Sequence, residues 1–255
     1  MSVRDVLEKH KRGEIDTAEA ERMMRLDYLK RIGQHTLFDP CRADRKGIPE
    51  IVFGESKEPS VVAQIVKESI GERDLLLVSR AGQDHYEAVR AAVGNGSVRY
   101  EPLARMVVVD RRADVRRSGQ IGILAAGTSD VAVAEEARVV AEAMGCTVHT
   151  AYDVGIAAFH RFLDPMLQML EGGADAIIVV AGMEGALASV ASSLSDVPVI
   201  GVPTSVGYGV GEGGMAALNA MLQSCSPGLV VVNIDNGVGA GATAALISLR
   251  CRRSK

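Results

Sequence analysis

Five apolar runs decide how the second half of this chain folds: QIGILAAG (120–127), TVHTAYDVG (147–155), DAIIVVAGM (175–183), VPVIGVPTS (197–205) and GLVVVNID (228–235). They are strand-sized and follow one another about every 25–30 residues, with helical stretches such as DVAVAEEARVVAEAMG (130–145) and GGMAALNAMLQSC (213–225) between them. Buried strands alternating with amphipathic helices require right-handed parallel crossovers. The reading is an α/β fold whose C-terminal part is a doubly wound, five-stranded parallel sheet, with flavodoxin-like strand order one common solution. Ligands of such sheets sit outside the carboxyl ends of the strands. The polar and glycine-rich residues of this chain fall just after each run.

Outward from these runs the composition changes. Residues 1–117 hold 42 of the 60 charged residues but only 8 of the 27 glycines. The signs separate as well: 22 basic against 20 acidic residues give +2 up to residue 117, and 6 against 12 give −6 beyond it. The change follows RRADVRR (111–117), a solvated linker or exposed edge. It divides the chain into a smaller N-terminal α/β domain, 1–117, and a C-terminal domain, 118–255. In the first, Val3, Val6, Leu7 and His10 share one helical face, and Asp16 with Glu19 has capping-box spacing. A long polar stretch runs from Ile32 to Glu50. EIVF (50–53), LLLVS (75–79) and MVVVD (106–110) read as strands, and VVAQIVKESIG (61–71) as a helix stopped by Gly71.

Composition narrows the class of function. With 47% hydrophobic and 24% charged residues, the 255-residue chain is globular rather than disordered. A net charge of −4 argues against a nucleic-acid partner, which requires a basic face. Cysteines 41, 146, 225 and 251 form neither a disulfide framework nor a zinc-type CxxC pair. The opening MSVRDVLEKHKRGEID has no apolar core of a secretory signal, and no run reaches the ~18 residues of a membrane span. The expectation is a soluble, cytoplasmic protein with no membrane partner.

The strand ends carry the chemistry. Gly127, Thr128, Ser129 and Asp130 follow the first run, where backbone N–H groups and a helix dipole can hold phosphate or carboxylate; plain helix capping explains the same residues. No GxxxxGKS phosphate loop is present. Asp153, His160 and Arg161 follow the second run, as a phosphate or proton site or as a surface group. Gly182, Met183, Glu184 and Gly185 follow the third. There a carboxylate between glycines is presented as a general base or is a helix-start charge. Thr204, Ser205 and Tyr208 open a glycine-dense loop after the fourth, and Asn233, Asp235 and Asn236 end the fifth. Cys225 is either a small buried hydrophobe or a reactive thiol. The negative end of the preceding helix disfavours a thiolate, so the reactive reading requires a cation from protein or substrate.

These motifs resemble a known fold and, within it, a known family. Residues 118–255 resemble aminoimidazole-ribonucleotide carboxylase, whose purine enzymes carry a GSxSD-like loop, a His–Arg pair and an AGG-type third loop. Those enzymes lack a long N-terminal domain and place a histidine after the third loop, where this chain has Glu184 and Leu187. Over residues 25–245 the chain is more similar to the LarB family, the pyridinium-3,5-biscarboxylic acid mononucleotide synthases that begin nickel-pincer cofactor synthesis. DYLKRIG (27–33), GIPEIVFGESK (47–57), AGTSDVAVAEEA (126–137), AGMEGALASV (181–190), PVIGVPTSVGYG (198–209), SCSPG (224–228) and VVNIDNG (231–237) carry the likeness. Ser56 stands where that family usually has glycine, and Ala188 where it has proline.

The resemblance implies a reaction and roles. The substrate is nicotinic acid adenine dinucleotide, carboxylated at pyridinium C5 with CO2 or bicarbonate and hydrolysed to the dicarboxylated mononucleotide and AMP. Cys225 is the implied nucleophile at ring C4, and Glu184 the base for the C5 proton. Ser129 and Asp130 are implied to seat CO2 or the ring carboxylate, and His160 and Arg161 the phosphate. Arg42 and Lys57 of the N-terminal domain are implied to cover the adenylate. Magnesium is the implied cation, with no ligand set visible, and the related fold implies a homo-oligomer, possibly an octamer. The alternatives are a purine-type carboxylase or mutase, indifferent to Cys225, and a non-catalytic dinucleotide-binding regulator. Nickel belongs to the downstream product. Protein purified from nickel-free medium and then offered nickel is therefore expected to retain none by elemental analysis, and a stoichiometric content would contradict this.

Overall fold

A computed structural model describes residues 3–24, 30–32, 36–38, 46–71, 73–115 and 117–253. The chain divides into two compact units, residues 1–100 with 106–113, and residues 101–105 with 114–255. Each is described by itself. Cys41, Arg42 and parts of the 27–33 motif lie outside the described residues.

The first unit begins with helices α1 (Val3–Lys11) and α2 (Thr17–Met24). Asp16 Oδ1 accepts the Glu19 N–H at 2.7 Å, the cap that the spacing indicated. Val6, Ala20 and Met23 bury one another against Ile15. Within the polar stretch, β1 (Lys30–Ile32) pairs antiparallel with β2 (Thr36–Phe38). A second sheet is formed by β3 (Glu50–Phe53), β4 (Leu75–Ser79), β5 (Val98–Glu101) and β6 (Met106–Asp110), in the order β3-β4-β6-β5. Strands β3 and β4 run parallel because helix α3 (Pro59–Ser69) crosses between them, and β6 runs antiparallel to β4. Helices α3 and α4 (Gln83–Val93) lie on this sheet through Val62, Val66 and Val89.

The second unit is built on β7 (Gly119–Ala125), β8 (Cys146–Ala151), β9 (Ala176–Ala181), β10 (Val199–Pro203) and β11 (Leu229–Val231). The order is β11-β10-β9-β7-β8, and every pairing is parallel. This is the doubly wound, flavodoxin-like arrangement. Helices α5 (Val131–Ala143) and α9 (Gly237–Arg253) cover one face, with Ala134, Ala137, Ala240 and Ala244 against Ile121, Ile178 and Ile200. Helices α6 (His160–Glu171), α7 (Ala186–Ser193) and α8 (Met215–Leu222) cover the other through Phe162, Leu187 and Met221. The central strands are buried on both faces, hence their unbroken apolar runs. No described helix is long and apolar enough to cross a membrane.

The fifth run is a strand only over Leu229–Val231; the NID that follows turns away, with Asp235 at φ 54°. Helix α9 begins in the glycine-rich segment VGAGAT (238–243), to which the sequence pattern assigns no element. Gly241 is there for proximity: a Cβ would stand 2.9 Å from Ala137 Cα on α5. At its far end α9 is tied to the sheet by Asp175. That carboxylate accepts Ser248 Oγ–H at 2.6 Å, the Gln120 N–H at 3.0 Å and Arg252 Nε–H at 3.2 Å. Burial pushes its carboxyl upward, but these donors outweigh burial and hold it below the ordinary aspartate value.

Two predictions follow from this packing. Gly241→Leu overpacks the α5–α9 contact and is expected to destabilise the protein by about 1–3 kcal/mol, read as a lowered unfolding midpoint. A depressed folded-state pKa contributes stability above the unfolded value that is lost as pH falls through the folded one. In urea titrations the deficit of Asp175→Asn is therefore expected to stay constant at neutral pH and to shrink below about pH 4.

Candidate active site

The chain reverses its winding after β8, so β7 has β8 on one side and β9 on the other. The crevice at that switch point is where an open α/β sheet offers its ligand site. Here it opens into a cavity of about 420 Å³, within the ~300–1,000 Å³ range of small-molecule pockets. Four strand-end loops line it: Gly127, Ser129 and Asp130 after β7; Gly155, Ile156 and Ala157 after β8; Gly182, Met183, Glu184 and Leu187 after β9; and Val206, Gly207 and Tyr208 after β10.

Most of this lining is apolar. Glu184 is exposed on the wall, just ahead of α7, while Ser129 presents a hydroxyl at the entrance to α5. Among the described lining residues there is no lysine, arginine or histidine. The amino ends of α5 and α7 supply the only positive potential from the wall itself. The β9 loop is shaped by two left-handed residues, Met183 at φ 53° and Gly185 at φ 64°. Strain of this kind in a non-glycine residue is held only where the surroundings fix it.

Asp130 is 4% exposed. Its Oδ1 accepts the Thr204 hydroxyl at 2.6 Å and its Oδ2 the Gly127 N–H at 2.9 Å. Burial pushes its carboxyl above the usual aspartate value, the Thr204 hydroxyl and the neighbouring backbone amides oppose this, and nearby Asp235 adds to it. Thr204 is fully buried and lines no part of the cavity. Ser205 gives its N–H to Asp235 Oδ1 at 2.8 Å, so Asp235 braces the β10 loop from behind. Asn236 Oδ1 accepts the Gly239 N–H at 2.8 Å and thereby caps α9. Asn233 Oδ1 accepts the N–H of Ile234.

Other candidates lie apart from the cavity wall. Thr128 is exposed in the β7 loop but outside the lining. His160 and Arg161 open α6 and are exposed; Arg161 Nη1 donates to Asp153, whose φ of 58° marks the end of β8. Lys57 lies in the first unit, its ammonium donating to the Phe53 carbonyl at 2.6 Å. Cys225 is exposed, but in the return loop between α8 and β11. That loop is stapled to the end of α7, where Ser226 Oγ–H donates to Ser192 Oγ at 3.1 Å and Ser192 Oγ–H to the Pro227 carbonyl. Cys225 therefore sits at the amino ends of the strands and Glu184 at the carboxyl ends. Ile156, Ala157, Leu187 and Val206 went unmarked in the sequence because apolar wall residues read as core; their one signal is adjacency to the loop motifs.

A glycine-rich carboxyl rim on a five-stranded parallel sheet, with an acidic residue in the third loop, marks a ligand-binding α/β protein, and the family matches narrow the class to carboxylase/mutase-type enzymes. Residues 120–253 match the family model for AIR carboxylase, and residues 30–112 that for the LarB/PurE-like N-terminal domain. The chain belongs to the AIR carboxylase family, in its form with a LarB/PurE-like N-terminal domain. It is 40% identical over 251 residues to an uncharacterized protein of Methanocaldococcus jannaschii, covering 97% of each chain. It is 29% identical over 132 residues to the N5-carboxyaminoimidazole ribonucleotide mutase of that organism, covering 51% of this chain and 76% of the mutase. To the mutase of the same name from Thermotoga maritima it is 30% identical over 135 residues, with 50% and 74% covered.

Gly182 is the residue on which the cavity floor depends, since a Cβ there would lie 2.7 Å from Thr204 Oγ. Gly182→Ala is expected to force the β9 and β10 loops apart and to lower the melting midpoint; an unchanged midpoint would show that the loops accommodate the added methyl.

Proposed function

We propose that the protein carboxylates nicotinic acid adenine dinucleotide at pyridinium C5 and hydrolyses the phosphoanhydride, releasing pyridinium-3,5-biscarboxylic acid mononucleotide and AMP. The observation that carries this is the charge of the cavity: an apolar pocket holding the carboxylates of Glu184 and Asp130, with no cation among its described lining residues. Such a pocket favours a flat, positively charged ring over a phosphate or a neutral aminoimidazole. The family membership and the length of the N-terminal match support it.

A pyridinium is electron-poor at C5 and does not attack CO2 unaided. The Cys225 thiolate adds to C4, its electron pair forming the S–C bond and neutralising the ring nitrogen. The resulting dihydropyridine is an enamine, whose C5 attacks CO2 and forms the new C–C bond. Glu184 takes the C5 proton. Thiolate then leaves C4 and the ring recovers aromaticity, so that C5–H has become C5–carboxylate with one proton on Glu184. Water cleaves the anhydride separately. Ser129 and the amide groups at the start of α7 are placed to receive the incoming carboxylate. Lys57, Arg42, His160 and Arg161 are proposed for the phosphates and adenylate. Among the described residues no three metal-ligating side chains come together; a protein cage for magnesium does not fit them, and no step is routed through one.

Glu184 and Cys225 lie at opposite rims of one sheet, so a single copy of this chain cannot bring both to one ring. The reaction therefore requires a homo-oligomer in which the Cys225 loop of one copy reaches the cavity of another. Exposed Leu222 and Val230 flank that loop and suit such a contact. Wild type incubated with the dinucleotide and labelled bicarbonate is expected to yield AMP and a labelled dicarboxylated mononucleotide by mass spectrometry. Cys225→Ala and Glu184→Gln should each abolish the labelled product. Coexpressed in equal amounts, the two variants should recover about a quarter of wild-type activity, because random assembly pairs intact halves in that share of sites. No recovery would sink the shared site, and turnover of aminoimidazole ribonucleotide instead would favour the purine reading.

A further inference from the structure

We propose that Asp130 and Thr204 form a positioning latch: the buried carboxylate ties the loops after β7 and β10 together, and the β9 loop packed on Thr204 at Gly182 is thereby held with Glu184 at the cavity wall, without Asp130 itself contacting substrate. Its catalytic consequence rests on the carboxylation reading, whereas the latch itself does not. The two donors come from different loops: the Gly127 N–H belongs to the loop after β7 and the Thr204 hydroxyl to the loop after β10. The loop after β9 lies directly against the second, where a Cβ on Gly182 would stand 2.7 Å from Thr204 Oγ. Only 4% of Asp130 is exposed, so little of it is open to a ligand.

Between Gly182 and Gly185 the backbone passes through two left-handed residues, and the Gly185 N–H closes the turn on the Gly182 carbonyl at 2.9 Å. The Met183 N–H reaches the Val206 carbonyl only at 3.4 Å. The Thr204 N–H is bonded to the Ala181 carbonyl at 3.1 Å, which sets the register of β10 against β9 but does not reach residue 184. Glu184 follows two residues after Gly182, which packs on Thr204, and Val206 and Tyr208 of the opposite wall follow two and four residues after the latched Thr204 hydroxyl. One carboxylate therefore bears on both walls. Asp235, the charged neighbour of Asp130, is engaged by the Ser205 N–H and adds a second brace to the same loop. Such an arrangement explains a fully buried hydroxyl on a loop whose later residues, Val206 to Tyr208, line the cavity.

The test compares Thr204→Val, Thr204→Ser and Asp130→Asn in the full-length protein, with kcat and KM for the dinucleotide and amide hydrogen exchange over residues 181–187 and 204–209. Valine removes only the hydroxyl. It is expected to lower kcat by roughly 10- to 100-fold, the scale of an ångström-sized misplacement, with KM changed by less than about threefold. Exchange should rise in both segments. Serine should restore most of kcat and the wild-type exchange pattern, and Asp130→Asn should repeat the valine result. A raised KM with unchanged kcat in Asp130→Asn marks direct substrate contact and overturns the latch, as does wild-type exchange in Thr204→Val. If the wild type itself turns over no dinucleotide, the functional reading fails, and exchange alone decides the latch.

Discussion

All five strands of the second unit run in one direction, and that single constraint sorts the chemistry of the chain. Every connection from strand to helix emerges on the carboxyl rim, and every return from helix to strand re-enters on the amino rim. Four of the five emerging loops converge on one cavity, and the fifth braces one of them through Asp235. The return loop bearing Cys225 has no such option. Its staple to the end of α7 keeps it a full helix away from Glu184, about 12 Å for eight residues at 1.5 Å each. The winding of the sheet thus turns a question about a cysteine into one about assembly. In the carboxylation proposed above, the thiol and the base that serve one ring would come from different copies.

The same winding explains what was legible beforehand. Strands β4, β6, β7 and β9 stand where their runs of Val, Ile and Leu place them, since a strand buried on both faces has no room for polar residues. Asp16 capping Glu19 was equally readable, because that interaction is local. Helix α9 was not. Its first turns are rich in glycine, which costs about 1 kcal/mol per residue in helical propensity, and the reason for them lies on another helix, where the α5 backbone passes too close for a side chain. The burial of Thr204 was hidden for a related reason. At a strand end the sequence shows which residues reach the rim but not which way each points, and Thr204 points inward to Asp130 while Val206 to Tyr208 line the cavity.

The cavity has an unusual charge for the nucleotide substrate proposed above. Nucleotide pockets ordinarily answer phosphate with cations, yet here the described lining offers two carboxylates and apolar walls. Helix termini soften this, because the amino ends of α5 and α7 favour a carboxylate near Ser129 and Ala186. The result is a pocket divided against itself, negative at its side chains and positive at its backbone. A ring that carries a positive nitrogen and a negative substituent matches both halves. A dianionic phosphate matches neither as well, and Arg161 and His160, which could hold one, stand outside the wall.

Burying Asp130 is expensive, and the expense has a structural meaning. A carboxylate removed from water raises its own pKa and weakens the fold unless donors replace the lost hydration. The Gly127 N–H and the Thr204 hydroxyl do so here, each from a different strand-end loop. An apolar residue in place of Asp130 could fill the same volume, but it could not bond to both loops at once. The chain accepts a less comfortable core position so that its most permissive loops take one arrangement. Glycine admits close approach of the β9 and β10 loops at Gly182, and the carboxylate beneath it removes the freedom that glycine introduced. The geometry at Glu184 is therefore a property of the buried layer below the site, set by side chains that no ligand has to touch.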